Sequence, residues 1–199
     1  MVIGSWSGPG VRKVESFLVS TGLVALAEIG DKTQLLAFSL AVRFRRPIPV
    51  LIGILVATVV NHALAAGIGV WLTGVLRPEV LRWLLGLSFL VMAAWVLRPD
   101  SQAEDQPALN TLGVFGATLV AFFFAEMGDK TQVATVALAA SYASLVPVVA
   151  GTTIGMMIAN VPAVYLGEYC GRRVPTRLLR GATALLFGLF GAAVLLRVV

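Results

Sequence analysis

The sequence is poor in the residues on which most soluble enzymes and secreted domains depend. It has one cysteine, one histidine and only 13% charged residues over 199 positions, whereas soluble domains carry about 25% charged residues. A single cysteine excludes an intramolecular disulfide, and zinc, copper and iron–sulfur sites prefer the histidine and cysteine that are scarce here. Hydrophobic residues make up 58% of the chain. The sequence therefore predicts an all-α integral membrane protein.

The positive charge does not indicate a nucleic-acid partner. The net charge is +5, but thirteen of the fifteen basic residues lie in short clusters at the ends of apolar runs. Basic residues beside membrane spans orient the chain during insertion. The pattern predicts a chain surrounded by the lipid bilayer, with no nucleic acid bound. The thirteen residues are Arg12, Lys13, Arg43, Arg45, Arg46, Arg77, Arg82, Arg98, Arg172, Arg173, Arg177, Arg180 and Arg197.

Six segments are apolar and long enough to cross a bilayer, which needs roughly 20 residues. The charge-free run after residue 130 extends to residue 167. It is too long for one span, so we place a turn at 141–144. The N-terminus resembles a cleavable signal peptide, but cleavage would destroy the first span, which we expect to be retained. The predicted spans are 16–42, 47–76, 80–97, 107–140, 145–167 and 178–196.

An internal repeat divides the chain into two halves. A shift of 98 residues places 27–34 on 125–132, with seven of eight residues identical, and His62 on Asn160. Because each half has three spans, the second half must enter the membrane from the opposite side, as in the inverted repeats of many secondary transporters. The predicted divisions are a tail at 1–15, repeat 1 at 16–97, a polar linker at 98–106 and repeat 2 at 107–199.

The distribution of basic residues predicts the orientation of the chain. Outside the repeated motifs, five lie on the side of the two termini and eight lie on the other side. Since loops rich in lysine and arginine stay in the cytoplasm, we expect the 98–106 linker to be cytoplasmic and both termini to be outside. A bacterial inner membrane is the expected location.

Each repeated motif places three ionisable residues in the middle of a predicted span. Glu28 lies about 13 residues, or roughly 20 Å, into the first span, where each ionised group costs at least about 2.5–3.5 kcal/mol. A structural alternative is an ion pair between Glu28 and Lys32, four residues apart. That pair would leave Asp31 unmatched, and buried pairs seldom add net stability. We therefore favour a functional role, with Lys32 and Lys130 balancing the charge.

The motif spacing indicates a cation site. On a continuous helix, Glu28, Asp31 and Gln34 fall within an arc of about 120°. Carboxylate and amide oxygens are the ligands that Ca²⁺ and Mn²⁺ prefer. The equivalent residues of the second repeat are Glu126, Asp129 and Gln132.

Five other polar residues lie within the predicted spans, and four of them have two explanations each. Thr33 and Thr131 are auxiliary ligands or donate to their own helix. Asn160 is an oxygen ligand or an interhelical hydrogen-bonding group. His62 is a proton relay or a buried neutral histidine. Asn61 has no polar equivalent in the second repeat, so packing is favoured for it.

The two copies of the motif, Glu-Ile-Gly-Asp-Lys-Thr and Glu-Met-Gly-Asp-Lys-Thr, resemble the signature of the GDT family (uncharacterised protein family 0016), and the resemblance covers nearly the whole chain. It implies a cation/proton exchanger for manganese or calcium, with protons as the second substrate and no cofactor. Bacterial members are manganese exporters, which favours Mn²⁺ over Ca²⁺. The resemblance implies a metal site formed by Glu28, Asp31, Glu126 and Asp129.

Two other function classes are compatible with buried carboxylates. A metal-dependent, membrane-embedded lipid-pyrophosphate phosphatase would need arginine near the carboxylates and a nucleophile such as serine, whereas every arginine lies at a helix end and neither motif contains serine. An exporter of amino acids or amphipathic drugs would need a roomy, aromatic-lined cavity, which densely packed charges disfavour. The sequence therefore favours a transporter of small cations over an enzyme.

Overall fold

The computed structural model describes residues 9–29, 31–97, 112–166 and 176–196. These residues form helices and no strands, which confirms the all-α prediction. Two helical segments, Pro47–Val75 and Val146–Tyr165, are long and apolar enough to cross a membrane. The helices of the described residues are α1 (Pro9–Glu28), α2 (Lys32–Phe44), α3 (Pro47–Val75), α4 (Pro78–Val96), α5 (Gly113–Glu126), α6 (Lys130–Tyr142), α7 (Val146–Leu166) and α8 (Thr176–Leu195).

Local sequence explains where several helices begin and end. Helix α3 starts at Pro47 and α4 at Pro78. Proline suits this position because the backbone N–H groups of the first turn have no partner within the helix, so the N–H that proline lacks is not needed. Helix α6 ends where Ala143 adopts a left-handed conformation with φ of 46° and its N–H bonds to the carbonyls of Ala139 and Ala140. This confirms the turn predicted at 141–144.

The first and fourth predicted spans are not continuous helices. The first breaks between Glu28 and Lys32, and the fourth breaks between Glu126 and Lys130. The prediction of one continuous helical face was therefore wrong. In the second break, Gly128 has φ of 78° and Asp129 has an extended backbone, and neither conformation continues an α-helix. Both copies of the motif thus form the junction between two half-helices.

Each broken helix packs against the middle helix of the other half. Helix α1 lies along α7, α3 lies along α5 and α6, and α4 packs against α8. Glycines at repeat-equivalent positions permit the close approach. A Cβ on Gly53 would lie 2.8 Å from the Cβ of Thr118, and one on Gly151 would lie 2.5 Å from the carbonyl oxygen of Phe17. Small residues at such contacts are typical of helices packed within membranes.

Several sequence predictions fall outside the described residues. They concern the 98–106 linker, most of the N-terminal tail, Cys170 and the basic residues Arg98, Arg172, Arg173 and Arg197. The domain boundaries and the orientation of the termini consequently stay predictions.

Candidate cation site

The two helix breaks place the motif carboxylates inside the protein. Glu28, Asp31, Glu126 and Asp129 are all buried, with at most 4% of any residue exposed. Burial of four carboxylates away from water is unfavourable unless cations or hydrogen bonds compensate them. The surroundings of each carboxylate therefore indicate its role.

Three of the four carboxylates come together. Glu28, Asp31 and Asp129 each offer an oxygen atom that lies within 4.8 Å of those of the other two. Glu28 and Asp31 come from the first half and Asp129 from the second. We call these three residues the carboxylate cluster. Such a set of hard oxygen donors matches the chemistry of Ca²⁺ or Mn²⁺.

A lysine from the second half neutralises part of this charge. Lys130 Nζ lies 2.7 Å from Asp31 Oδ2, and both side chains are at most 5% exposed. The pair joins the start of α6 to the first helix break, so the second motif balances a charge of the first. The sequence also suggested an ion pair between Glu28 and Lys32, but the side chain of Lys32 is not among those that the structure describes.

The two motif threonines differ in their contacts. The hydroxyl of Thr33 donates to Glu28 Oε2 at 2.5 Å, while Glu28 Oε1 accepts no hydrogen bond from the described part of the chain. The hydroxyl of Thr131 is buried and has no hydrogen-bond partner among the described residues. Within the described residues, neither hydroxyl bonds back to its own helix, which was the alternative considered from the sequence.

The two motif glutamines support the backbone near the breaks. Gln132 Oε1 accepts the N–H of Gly128 at 2.7 Å, which satisfies a donor at the interrupted helix. Gln34 Nε2 donates to the carbonyl oxygen of Ala159 at 2.8 Å and thereby joins α2 to α7. Both glutamines thus bond to backbone groups, Gln132 within its own motif and Gln34 to the other half.

Glu126 lies outside the carboxylate cluster and contacts α3. Its Oε1 accepts a hydrogen bond from the hydroxyl of Thr58 at 3.2 Å, and its Oε2 accepts one from Nδ2 of Asn61 at 3.4 Å. Asn61 also donates to the carbonyl oxygen of Phe123 at 3.0 Å. Thr58 was not considered from the sequence, and packing was favoured for Asn61 because its repeat equivalent is an alanine. The signal was a polar pair three residues apart in a charge-free span.

His62 and Asn160 are both buried at 1% exposure or less. Neither nitrogen of the His62 ring has a hydrogen-bond partner in the described ranges. Asn160 Nδ2 donates to the carbonyl of Met156 at 3.0 Å, and its Oδ1 accepts no hydrogen bond from a described residue. Two repeat-equivalent positions thus present unsatisfied polar atoms in the protein interior.

The comparison with known families identifies the chain. A family model described as "Divalent cation/proton antiporter GDT1" matches residues 16–104 and 114–199, so each matched segment contains one motif. The chain belongs to the GDT1 family. This confirms the resemblance inferred from the two motifs.

Individual GDT1 relatives are similar along most of the chain. A protein of Vibrio cholerae named "Putative manganese exporter" is 49% identical over 88% of this chain and 88% of its own. A GDT1-like protein of Synechocystis is 29% identical over 88% of this chain and 94% of its own. GDT1-like protein 4 of Oryza sativa is 28% identical over 89% of this chain and 72% of its own. No solved structure matches the chain.

Membership in GDT1 decides between the function classes considered from the sequence. The family consists of membrane antiporters of divalent cations and protons, so the prediction of a transporter instead of a lipid-pyrophosphate phosphatase is confirmed.

Proposed function

We propose that this GDT1 protein exports Mn²⁺ in exchange for protons and that the carboxylate cluster, joined by Glu126, binds the cation. The observation that carries the proposal is the meeting of Glu28, Asp31 and Asp129 from two halves of the chain within 4.8 Å. A site built from both halves changes whenever the halves move relative to one another. Cation binding is thereby linked to the conformational change.

Manganese is the proposed cargo and calcium the second candidate. The oxygen donors suit both ions. The relative named as a manganese exporter shares 49% identity with this chain, which favours Mn²⁺. We assign no resident cofactor, since the cation is the substrate.

The remaining polar residues have supporting roles in this proposal. The buried oxygen atoms of Thr131 and Asn160 that lack partners among the described residues support both as auxiliary ligands. Thr33 orients Glu28, and Lys130 balances Asp31; we assign the equivalent charge-balancing role to Lys32. Further candidates are the glutamine oxygen atoms of Gln34 and Gln132 as ligands and the His62 ring as a proton relay.

A transport assay tests the proposed exchange. We expect the purified protein in proteoliposomes to take up Mn²⁺ when the lumen is more acidic than the medium, because outward proton flow then drives cation entry. Without a pH gradient, uptake is expected to be several-fold slower. The same vesicles assayed with Ca²⁺ decide the preference. Equal Mn²⁺ flux with and without the gradient would contradict proton exchange.

For the architecture, we propose two inverted three-span repeats that open the site alternately to the two sides of the membrane. The discontinuous spans at equivalent positions support this, since broken helices line the substrate sites of many inverted-repeat transporters. We further propose outside termini and a cytoplasmic 98–106 linker in a bacterial inner membrane.

Alternating access predicts opposite accessibility of the two breaks. Ile29→Cys and Met127→Cys occupy equivalent positions and are introduced separately into a Cys170→Ser background. An impermeant thiol reagent is expected to react with one cysteine when it is applied from one face of the membrane. It is expected to react with the other cysteine when it is applied from the opposite face. A change of pH gradient should alter the two rates in opposite directions. Reaction of both cysteines from both faces under one condition would indicate a channel.

A further inference from the structure

The two motif glutamates have different surroundings, although the motifs are nearly identical. Glu28 belongs to the carboxylate cluster and accepts a hydrogen bond from Thr33 of its own motif. Glu126 is held by two side chains of α3, Thr58 and Asn61, at 3.2 and 3.4 Å. The hydroxyl of Thr131, which is equivalent to Thr33, does not bond to Glu126.

This difference is encoded in the sequence and is not confined to one conformation. The repeat equivalents of Thr58 and Asn61 in α7 are Met156 and Ala159. Neither side chain has an N–H or O–H group, so these two positions of α7 cannot hold Glu28 as Thr58 and Asn61 of α3 hold Glu126. The two halves therefore differ at these positions in every conformation of the protein.

The donors on α3 are built into the protein interior. Thr58 is fully buried and Asn61 is 1% exposed, so water does not compete for their hydrogen bonds. Asn61 is itself positioned by its second hydrogen bond, to the carbonyl of Phe123 near the end of α5. Because both donors are buried, breaking their hydrogen bonds to Glu126 would leave polar groups without partners, which is costly.

We propose that Thr58 and Asn61 form a docking site for Glu126, which holds this carboxylate out of the carboxylate cluster until the cation binds. The inference rests on the proposed function, since it assigns Glu126 as the fourth ligand of the transported cation. Thr58 and Asn61 are positioning residues that contact Glu126 and not the cation. Glu126 alternates between the two α3 donors and the cation as the protein passes through its cycle.

The docking site has opposite effects on binding and release. Because the cation competes with the α3 donors for Glu126, the apparent affinity is the intrinsic affinity multiplied by the fraction of protein in which Glu126 is undocked. During release, the same donors receive Glu126 and favour the cation-free state. Removing a donor is therefore expected to tighten cation binding and to slow turnover.

The test compares Thr58→Val with Thr118→Val. Both changes replace the hydroxyl of a buried threonine with a methyl group of similar size, but the Thr118 hydroxyl donates only to the carbonyl of Val114 in its own helix. For Thr58→Val we expect the Kd for Mn²⁺ of the purified protein to fall by up to about 10-fold. In proteoliposomes, KM and kcat should both fall. Thr118→Val should resemble the unaltered protein in all three quantities.

Asn61→Leu is a second variant for which we expect the Kd for Mn²⁺, KM and kcat to fall. It removes the hydrogen bond to Phe123 as well, so Thr58→Val is the decisive variant if Asn61→Leu fails to fold. Weaker Mn²⁺ binding by Thr58→Val would overturn the proposal. The protein is expected to bind Mn²⁺ more weakly only if Thr58 is a ligand of the cation or a purely structural residue. Behaviour identical to that of Thr118→Val would also overturn it. Failure of the unaltered protein to bind or transport Mn²⁺ and Ca²⁺ would instead contradict the proposed function.

Discussion

Glu28→Gln and Glu126→Gln are each expected to abolish cation transport while the protein stays folded. Glutamine keeps the shape of the side chain, and its oxygen can still accept the hydrogen bond from Thr33 or from Thr58. The substitution removes a charged ligand, however. Changes to residues that merely support a metal ligand already lower affinity by about 10–100-fold. Loss of the ligand itself should lower transport by at least about 100-fold.

The measurement is Mn²⁺ uptake into proteoliposomes, with the melting temperature of each purified variant as the test of folding. Glu79→Gln is the matched control, because Glu79 is exposed in the first turn of α4 and should transport normally. Normal transport by both motif variants would show that the glutamates are structural and that the cation binds elsewhere.

Most helices could be predicted from hydropathy, charge and turn residues alone. Proline at position 47 and the small polar residues around 141–144 mark boundaries that the structure reproduces. The breaks at the motifs were missed, because periodicity arguments assume 100° per residue throughout an apolar segment. The signal for a break was present, since a glycine beside two charged residues in mid-span favours interrupted backbone that lines a polar site.

The composition of the candidate site could be predicted only in part. The repeat identified the four carboxylates, and three of them do come together. The position of Glu126 could not be predicted, because its partners Thr58 and Asn61 lie 68 and 65 residues away in the sequence. Asn61, which lacks a polar equivalent, is also discarded when only repeat-equivalent residues are considered. The different hydrogen-bond partners of the two glutamates are seen only in the structure.

The ion pair between Lys130 and Asp31 likewise joins the two halves and could not be inferred from spacing within one helix. We expect Lys130→Gln to destabilise the cation-free protein strongly, because the substitution leaves the charge of Asp31 buried without its partner at 2.7 Å. Breaking a buried pair in this way typically costs about 3–5 kcal/mol. For a chain of this size, that corresponds to a fall of roughly 10 °C in the Tm.

Added Mn²⁺ is expected to raise the Tm of Lys130→Gln more than that of the unaltered protein, because the bound cation supplies the positive charge that Asp31 has lost. The double variant Asp31→Asn with Lys130→Gln buries neither charge, so it should recover most of the stability. It should not transport the cation, because it lacks the proposed ligand Asp31. Lys13→Gln, at an exposed position of α1, is the control and should leave both the Tm and its response to Mn²⁺ unchanged. If Lys130→Gln melts at the same temperature as the unaltered protein and gains no more from Mn²⁺, Lys130 does not balance Asp31. The pairing of the two motifs would then play no part in cation binding.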